Sequence, residues 1–333
     1  MIIKKKVSIC CITYNHSSYI EKTLEGFLNQ DVDFDFEILI HDDASTDKTV
    51  EVIKNFEKKY PNLIKTIYSD VNIYSQGGSA IKRLLSIANG DYIAFCEGDD
   101  FWIDDKKLNK QIEFLDSNKE YVASYHNVKV VDEVGNYFIE EQNSFPLYET
   151  HEIYEHEVEV GILCGQLASL VCRNIWKNWS KDKLDQFFNF NLNDDIKISS
   201  LMVNEGKVIF MSDIMACYRR TYTGDSWNAR TYNKNQTMHL INANRELDKL
   251  YKNMFGLNRN DYSVNVIIYS FKFFVKRPSV QNWVCLVTSI KQSKSKIRSF
   301  IEFSLRILKF ILPKINSRNS RWPRLKNDGF DLK

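Results

Sequence analysis

Three acids crowd into four residues at Glu97-Gly98-Asp99-Asp100, directly after the apolar run Tyr92 to Cys96. Carboxylates are scarce at the ends of buried strands unless a cation or hydrogen-bond donors meet them. A hard divalent cation takes oxygen ligands, and a diphosphate bridged by Mg²⁺ needs only one or two protein carboxylates. Gly98 permits close backbone approach. The bland alternative is an acidic turn whose aspartates cap a helix. A second group, Asp42-Asp43-Ala44-Ser45-Thr46-Asp47, also follows a strand-like run and precedes a helical one. Capping explains Ser, Thr and Asp there, but one of two adjacent aspartates is redundant for it. That one is free to accept hydrogen bonds from a base or a ribose. His16, His126 and His151 show no metal-ligand spacing and read as ordinary polar residues.

The elements that must position these groups alternate in type. Val7 to Thr13, Phe36 to Ile40, Leu63 to Tyr68 and Tyr92 to Cys96 read as short buried strands. Between them lie a helix opened by the capping-box pattern Ser18-x-x-Glu21, a helix from Thr46 to Tyr60 stopped before Pro61, and a helix from about Ser79 to Ala88. This βαβαβαβ order predicts an α/β fold with a mostly parallel sheet and helices on both faces. In such sheets ligands bind beyond the C-terminal strand ends. Thr13-Tyr14-Asn15, Asp42 to Ser45 and Glu97 to Asp100 all fall there, on one edge. Further on, Leu108 to Leu115 reads as helix, Tyr121 to Val131 as strand, Ile196 to Val203 as helix, Val208 to Met211 as strand and Gln236 to Tyr251 as helix, while residues 132 to 160 give no clear pattern.

Composition sets the outer bounds. With 333 residues, 44% apolar and 26% charged, the chain is ordinary globular protein. A net charge of +2 gives no reason to expect nucleic-acid binding. Seven cysteines without a Cys-x-x-Cys pair speak against disulfides or zinc and for a reducing, cytoplasmic setting. The apolar run after Lys4 to Lys6 is too short for a signal peptide, and no uninterrupted stretch reaches the roughly 20 residues of a spanning helix. From Lys291 to Lys333, twelve Lys and Arg stand against three Asp and Glu. Within this tail Ile297 to Leu312 reads as a helix with a broad apolar face, followed by Lys314, Arg318, Arg321, Arg324 and Lys326. Two readings stand level: an interfacial helix on an anionic membrane surface, or a helix packed on the domain with a solvated tail.

Val7 to Asn15, Asp42 to Thr49 and Gly90 to Trp102 together resemble, in order and spacing, the family 2 glycosyltransferases, over about the first third of the chain. Tyr125-His126-Asn127, Asn193-Asp194-Asp195 and Met215 to Arg219 resemble the family's acceptor-side segments more loosely. The resemblance implies a GT-A fold and inverting sugar transfer from a nucleoside-diphosphate sugar, UDP-linked by preference, with Mg²⁺ or Mn²⁺. The acceptor implied is a carbohydrate or lipid-linked saccharide, in surface polysaccharide assembly at the inner membrane face.

Mapped onto this sequence, Thr13, Tyr14 and Asn15 lie on the nucleoside side and Asp43 meets the base. Glu97 stands beside the ribose, where the family usually has Asp, Asp99 takes the metal-bound place, and Asp100 next to it is expected among the nucleotide-sugar-binding residues. Lys82 falls in a segment that often contacts the donor. Counting back from Glu205-Gly206-Lys207 places the catalytic base at Asp195, with Asp194 the neighbouring choice. Arg219 and the following Gly224-Asp225-Ser226-Trp227 read as a loop able to close over the donor, an Arg there forking onto phosphate oxygens. The organisation expected is a catalytic domain over 1–255, split into a donor half (1–104) and an acceptor half (105–255), with a helical basic region over 256–333. Two rivals remain: a nucleotide-sugar-binding protein without catalysis, and a sugar-phosphate nucleotidyltransferase. The second would need a Gly-rich, Arg-containing loop after the first strand, where the sequence has Tyr14-Asn15-His16-Ser17.

Overall fold

Three neighbouring parallel strands build the centre of the molecule. In the computed structural model, which describes residues 6–154, 165–221 and 236–257 with isolated positions between 267 and 290, β1 (Val7–Thr13) lies between β2 (Phe36–Asp42) and β4 (Tyr92–Glu97), parallel to both. Val7, Ile9 and Cys11 pack on one face with Ile38, Ile40, Ala94 and Cys96; Cys10 packs on the other with Leu39, Ile93 and Phe95. Helices cover both faces, so each strand carries apolar residues on both faces rather than on one. On the first face lie α1 (Ile20–Leu28), α2 (Thr49–Lys59) and α4 (Lys107–Ser117). On the second lie α3 (Ala80–Leu85), α6 (Lys181–Phe188), α7 (Asp194–Glu205) and α8 (Gln236–Phe255), the last through Leu247, Leu250 and Tyr251. A one-turn α5 spans Ile139–Gln142.

The sheet order is β3-β2-β1-β4-β8-β6-β9-β5, with β7 paired to β9. Long strands β6 (Tyr121–Val131) and β9 (Lys207–Arg219) are parallel to each other, and β3 (Ile64–Tyr68) is parallel to β2. The reversed strands are the three shortest: β5 (Phe101–Trp102), β7 (His151–Ile153) and β8 (Val171–Arg173). The expected mostly parallel α/β sheet is present, with antiparallel pieces that the sequence did not announce.

Two helix starts differ from expectation. α1 begins at Ile20 with Tyr19 at its N-cap and no side-chain capping bond, so the Ser18-x-x-Glu21 box is not formed. α2 begins at Thr49 rather than Thr46, because residues 43–48 are drawn into contacts with the loop after β1. Among the described residues five cysteines are free and buried, and no helix is long and apolar enough to cross a membrane. Ile297 to Lys326 and the Gly224 to Trp227 loop lie outside the described residues.

Candidate active site

The loops after β1 and β2 are fastened to each other side chain by side chain. Asn15, in the left-handed region at φ 55°, turns the chain so that its Oδ1 accepts from the Thr46 amide at 2.8 Å. In return Ser45 Oγ accepts from Asn15 N at 2.9 Å, Thr49 Oγ1 from His16 N at 2.8 Å, and Asp47 Oδ2 from Ser17 N at 3.0 Å. Burial raises the Asp47 pKa, but the hydrogen bonds from Thr49 and Ser17 outweigh it and leave the carboxyl below its ordinary range. Asp42 Oδ1 accepts from Ser45 N. Asp43 reaches the other way: its two oxygens accept from Ile73 N at 2.7 Å and Tyr74 N at 3.0 Å, folding the 69–79 loop against the strand ends. Asp43 therefore lies at the expected edge with an oxygen committed to each of two backbone amides. Tyr14 is half-buried beside them.

The acidic loop after β4 needs its glycine. A Cβ on residue 98 would lie 2.6 Å from Thr13 Oγ1 and 2.9 Å from His16 Nδ1. Thr23 Oγ1 from α1 is within hydrogen-bond distance of the Gly98 and Asp100 carbonyls, at 3.0 and 2.6 Å. Arg219, at the end of β9, holds the loop from the far side. Its amide donates to Asp100 Oδ1 at 2.8 Å, its Nε to the Asp99 carbonyl at 2.9 Å, and its Nη1 to the Asp132 and Glu133 carbonyls at 2.8 and 3.0 Å. The guanidinium lies over the Tyr19 ring, 4.4 Å from its centroid. Arg219 is thus tied to carbonyls through Nε and Nη1, which anchors its guanidinium against the acidic loop. Asp100 is buried and turned inward, with Oδ2 lacking a partner; burial first, then Asp99 and Glu97, raise its pKa. Asp99 is left on the accessible side, its Oδ2 3.8 Å from His16 Nε2.

Facing this loop is the N-terminus of α7. Asp194 is committed: its Oδ2 accepts from Ser79 Oγ at 2.5 Å and its Oδ1 from Lys197 Nζ at 3.0 Å. Asp195 is half-buried, and burial, only partly offset by the Ile196 amide and reinforced by Asp194, lifts its pKa to about 6. Glu97 is lifted to about 8 by burial, then by the charges of Asp99 and Asp195. Acids from the donor-side sheet edge and from α7 therefore repel one another across one space. Lys82 does not meet them. Its Nζ sits 2.5 Å from Asp185 Oδ1 of α6.

Tyr125, His126 and Asn127, in the looser acceptor-side match, are buried and tied into the fold. Tyr125 OH is 2.9 Å from Ser199 Oγ of α7, and Asn127 Nδ2 donates to the Tyr148 and Ser212 carbonyls. Ser79 and Thr23 were missed by sequence reasoning as site supports. Gly77-Gly78-Ser79 before an apolar helical run marks Ser79 as a cap, but nothing in it announces Asp194.

The residues present fit a divalent cation. Among the described residues no group of three or more His, Cys, Asp or Glu could by itself hold a metal. One available carboxylate, Asp99, beside the two raised acids is compatible with a hard cation whose remaining oxygen ligands come from elsewhere.

The model for glycosyl transferase family 2 matches residues 8–177, and the chain belongs to that family. It is 42% identical over 129 residues to an uncharacterized protein of Mycobacterium tuberculosis, covering 39% of this chain and 37% of the relative. It is 33% identical over 130 residues to the putative glycosyltransferase EpsE of Bacillus subtilis, covering 39% and 45%. The matched stretch thus spans less than half the length of these curated relatives. In fold it is similar to S. aureus TarS 1-349 in complex with UDP-GlcNAc, with a TM-score of 0.56 and 17% identity over 86% of this chain and 79% of that one. The architecture is GT-A-type.

Proposed function

We propose that the protein is an inverting, metal-dependent glycosyltransferase that moves a sugar from a nucleoside diphosphate, UDP-linked by preference, to a saccharide hydroxyl. The observation that carries this reading is the convergence of Glu97, Asp99 and Asp195 without enough donors to satisfy them. Perturbed acids such as Glu97 and Asp195 mark places where charge is to be met by a ligand. Thr13, Tyr14 and Asp43 line the nucleoside side, and Glu97 stands beside the ribose. Asp99 would hold Mg²⁺ or Mn²⁺, which when bound neutralises charge growing on the diphosphate. Asn15, Asp100 and Arg219 keep the loops in shape. Asp195 takes the proton of the acceptor hydroxyl. That oxygen forms a bond to the anomeric carbon on the face opposite the diphosphate, the carbon–oxygen bond to the diphosphate breaks, and the nucleoside diphosphate leaves with its electron pair.

The acceptor, a carbohydrate or a lipid-linked saccharide of surface-polysaccharide assembly, rests on the family resemblance and on the basic, apolar C-terminal sequence. That tail would seat the protein on the anionic inner membrane face. A thermal-shift screen of UDP-, GDP- and dTDP-sugars, with and without Mn²⁺, tests the donor. A ligand at 100 times its Kd stabilises by about 2.7 kcal/mol, so one donor should stand out in a Mn²⁺-dependent way. No shift with any of them contradicts the reading.

A further inference from the structure

The first turn of α3 joins the two halves of the cleft through hydrogen bonds that the proposed chemistry does not itself use. Ser79 is the N-cap of α3: its Oγ accepts from the Lys82 amide at 3.1 Å. The same hydroxyl has one proton to give, and it gives it to Asp194 Oδ2 at 2.5 Å, across 115 residues of sequence. Ser79 is nearly buried, at 9% exposure, so water competes little for that bond. Asp194 is the first residue of α7, and its other oxygen accepts from Lys197 Nζ, which is itself buried and also donates to the Phe188 carbonyl. One turn along α3, Lys82 binds Asp185 of α6. The loop that carries Ser79 is anchored at its other end by Asp43. A continuous set of polar contacts therefore runs from the strand-end loops through Ser79 to the first turn of α7, one residue from Asp195.

We propose that Ser79 is a positioning residue, whose hydrogen bond to Asp194 fixes the first turn of α7 and aims Asp195 at the acceptor hydroxyl. The inference rests on the assignment of Asp195 as base. The pairing explains the two adjacent aspartates: the first is a handle, held from both sides, and the second stays unengaged by Ser79 or Lys197. The hydroxyl fixes the direction of one carboxylate oxygen while Lys197 holds the other.

A double-mutant cycle of Ser79→Ala and Asp194→Ala in the full-length chain tests the link. The first readout is hydrogen exchange of a peptide covering residues 193–201, which needs no substrate. The second is steady-state transfer with the donor identified by thermal shift. We expect exchange at least about tenfold faster in each single variant, no further gain in the double variant, and recovery in Ser79→Thr. The kcat of Ser79→Ala should fall about tenfold with donor KM within about twofold. Additive effects in the cycle, or unchanged exchange in α7, overturn the proposal, because Ser79 then serves α3 alone. A loss carried by donor KM also overturns it. Asp195→Asn, assayed alongside, reports on the base assignment by itself. If that variant keeps full transfer, the base assignment fails whatever Ser79 does; if it is inactive and the cycle additive, only the present inference fails.

Discussion

Acids on the two sides of the cleft are treated in opposite ways. Around the ends of β1 and β2, Asp43 and Asp47 fill each oxygen with a backbone amide, and the Asp47 pKa is held low. A few residues away Glu97, Asp99 and Asp195 face a common space, and two of them have raised pKa values. The first set trades its charge for loop geometry. The second is left short of donors, so that carrying its charge comes at a cost to the unliganded protein that a cation and a donor would offset. Proximity to the site therefore does not separate a working acid from a structural one. The state of its oxygens does.

The largest effect expected from this contrast is on transfer. Asp195→Asn should slow it by about 10²- to 10⁴-fold with nucleotide binding retained, measured by product formation and nucleotide titration. Asp99→Asn should be as severe and should also remove the Mn²⁺ dependence of donor binding. Full activity of Asp99→Asn, or of the wild type in excess EDTA, breaks the metal assignment. The base assignment also fixes a pH dependence. Asp195 must be deprotonated to act, so kcat should rise with pH through about 6 and level above it; a rate that falls across that range breaks the assignment.

Stability effects come next. Lys107 is fully buried; its Nζ donates to Gln111 Oε1 at 2.8 Å and lies 4.2 Å from the Trp102 ring centroid. Burial lowers its pKa to about 7, against smaller opposing effects of Cys96 and Asp104. The unfolded chain then binds more protons than the native one from about pH 7 up to the ordinary lysine value, and stability contributed at this site rises with pH across that window. Lys107→Met should therefore stabilise at pH 6, by up to a few kcal/mol after the lost bond to Gln111 is allowed for, and much less at pH 9. Denaturant unfolding at the two values checks it. The smallest effect is that of Asp43→Ala, which should destabilise by about 1–3 kcal/mol. A gain in stability there would erase the contrast between the two sets of acids.

Much of the donor side was legible because its strands are buried on both faces and stopped by polar residues. β1 and β6 begin and end where the apolar runs do. The short reversed strands were not legible, since two or three residues such as Phe101–Trp102 carry no period. α6 hid for a related reason, being eight residues long. Ser18 and Thr46 looked like caps because the rule is local, while neighbouring side chains of the second loop bind the first loop instead. The direction of Arg219 was beyond any local rule: its partners come from residues 99, 132 and 133. The two acidic groups, with Thr13 to Asn15, could be placed on one edge from strand order, but which acids would go unsatisfied depends on loops that meet only in the folded chain.

Unliganded stability against pH tests that last distinction most directly. A carboxyl raised to about 8 makes the native state bind more protons than the unfolded one from its ordinary value up to pH 8, so its contribution to stability falls as pH rises through that window. Thermal unfolding of wild type and Glu97→Gln should then give similar Tm values near pH 5. Near pH 8 Glu97→Gln should have the higher Tm, and Mn²⁺ with donor should narrow that gap. A Glu97→Gln protein less stable than wild type at pH 8 would show that this acid is satisfied like Asp43, and would contradict the account.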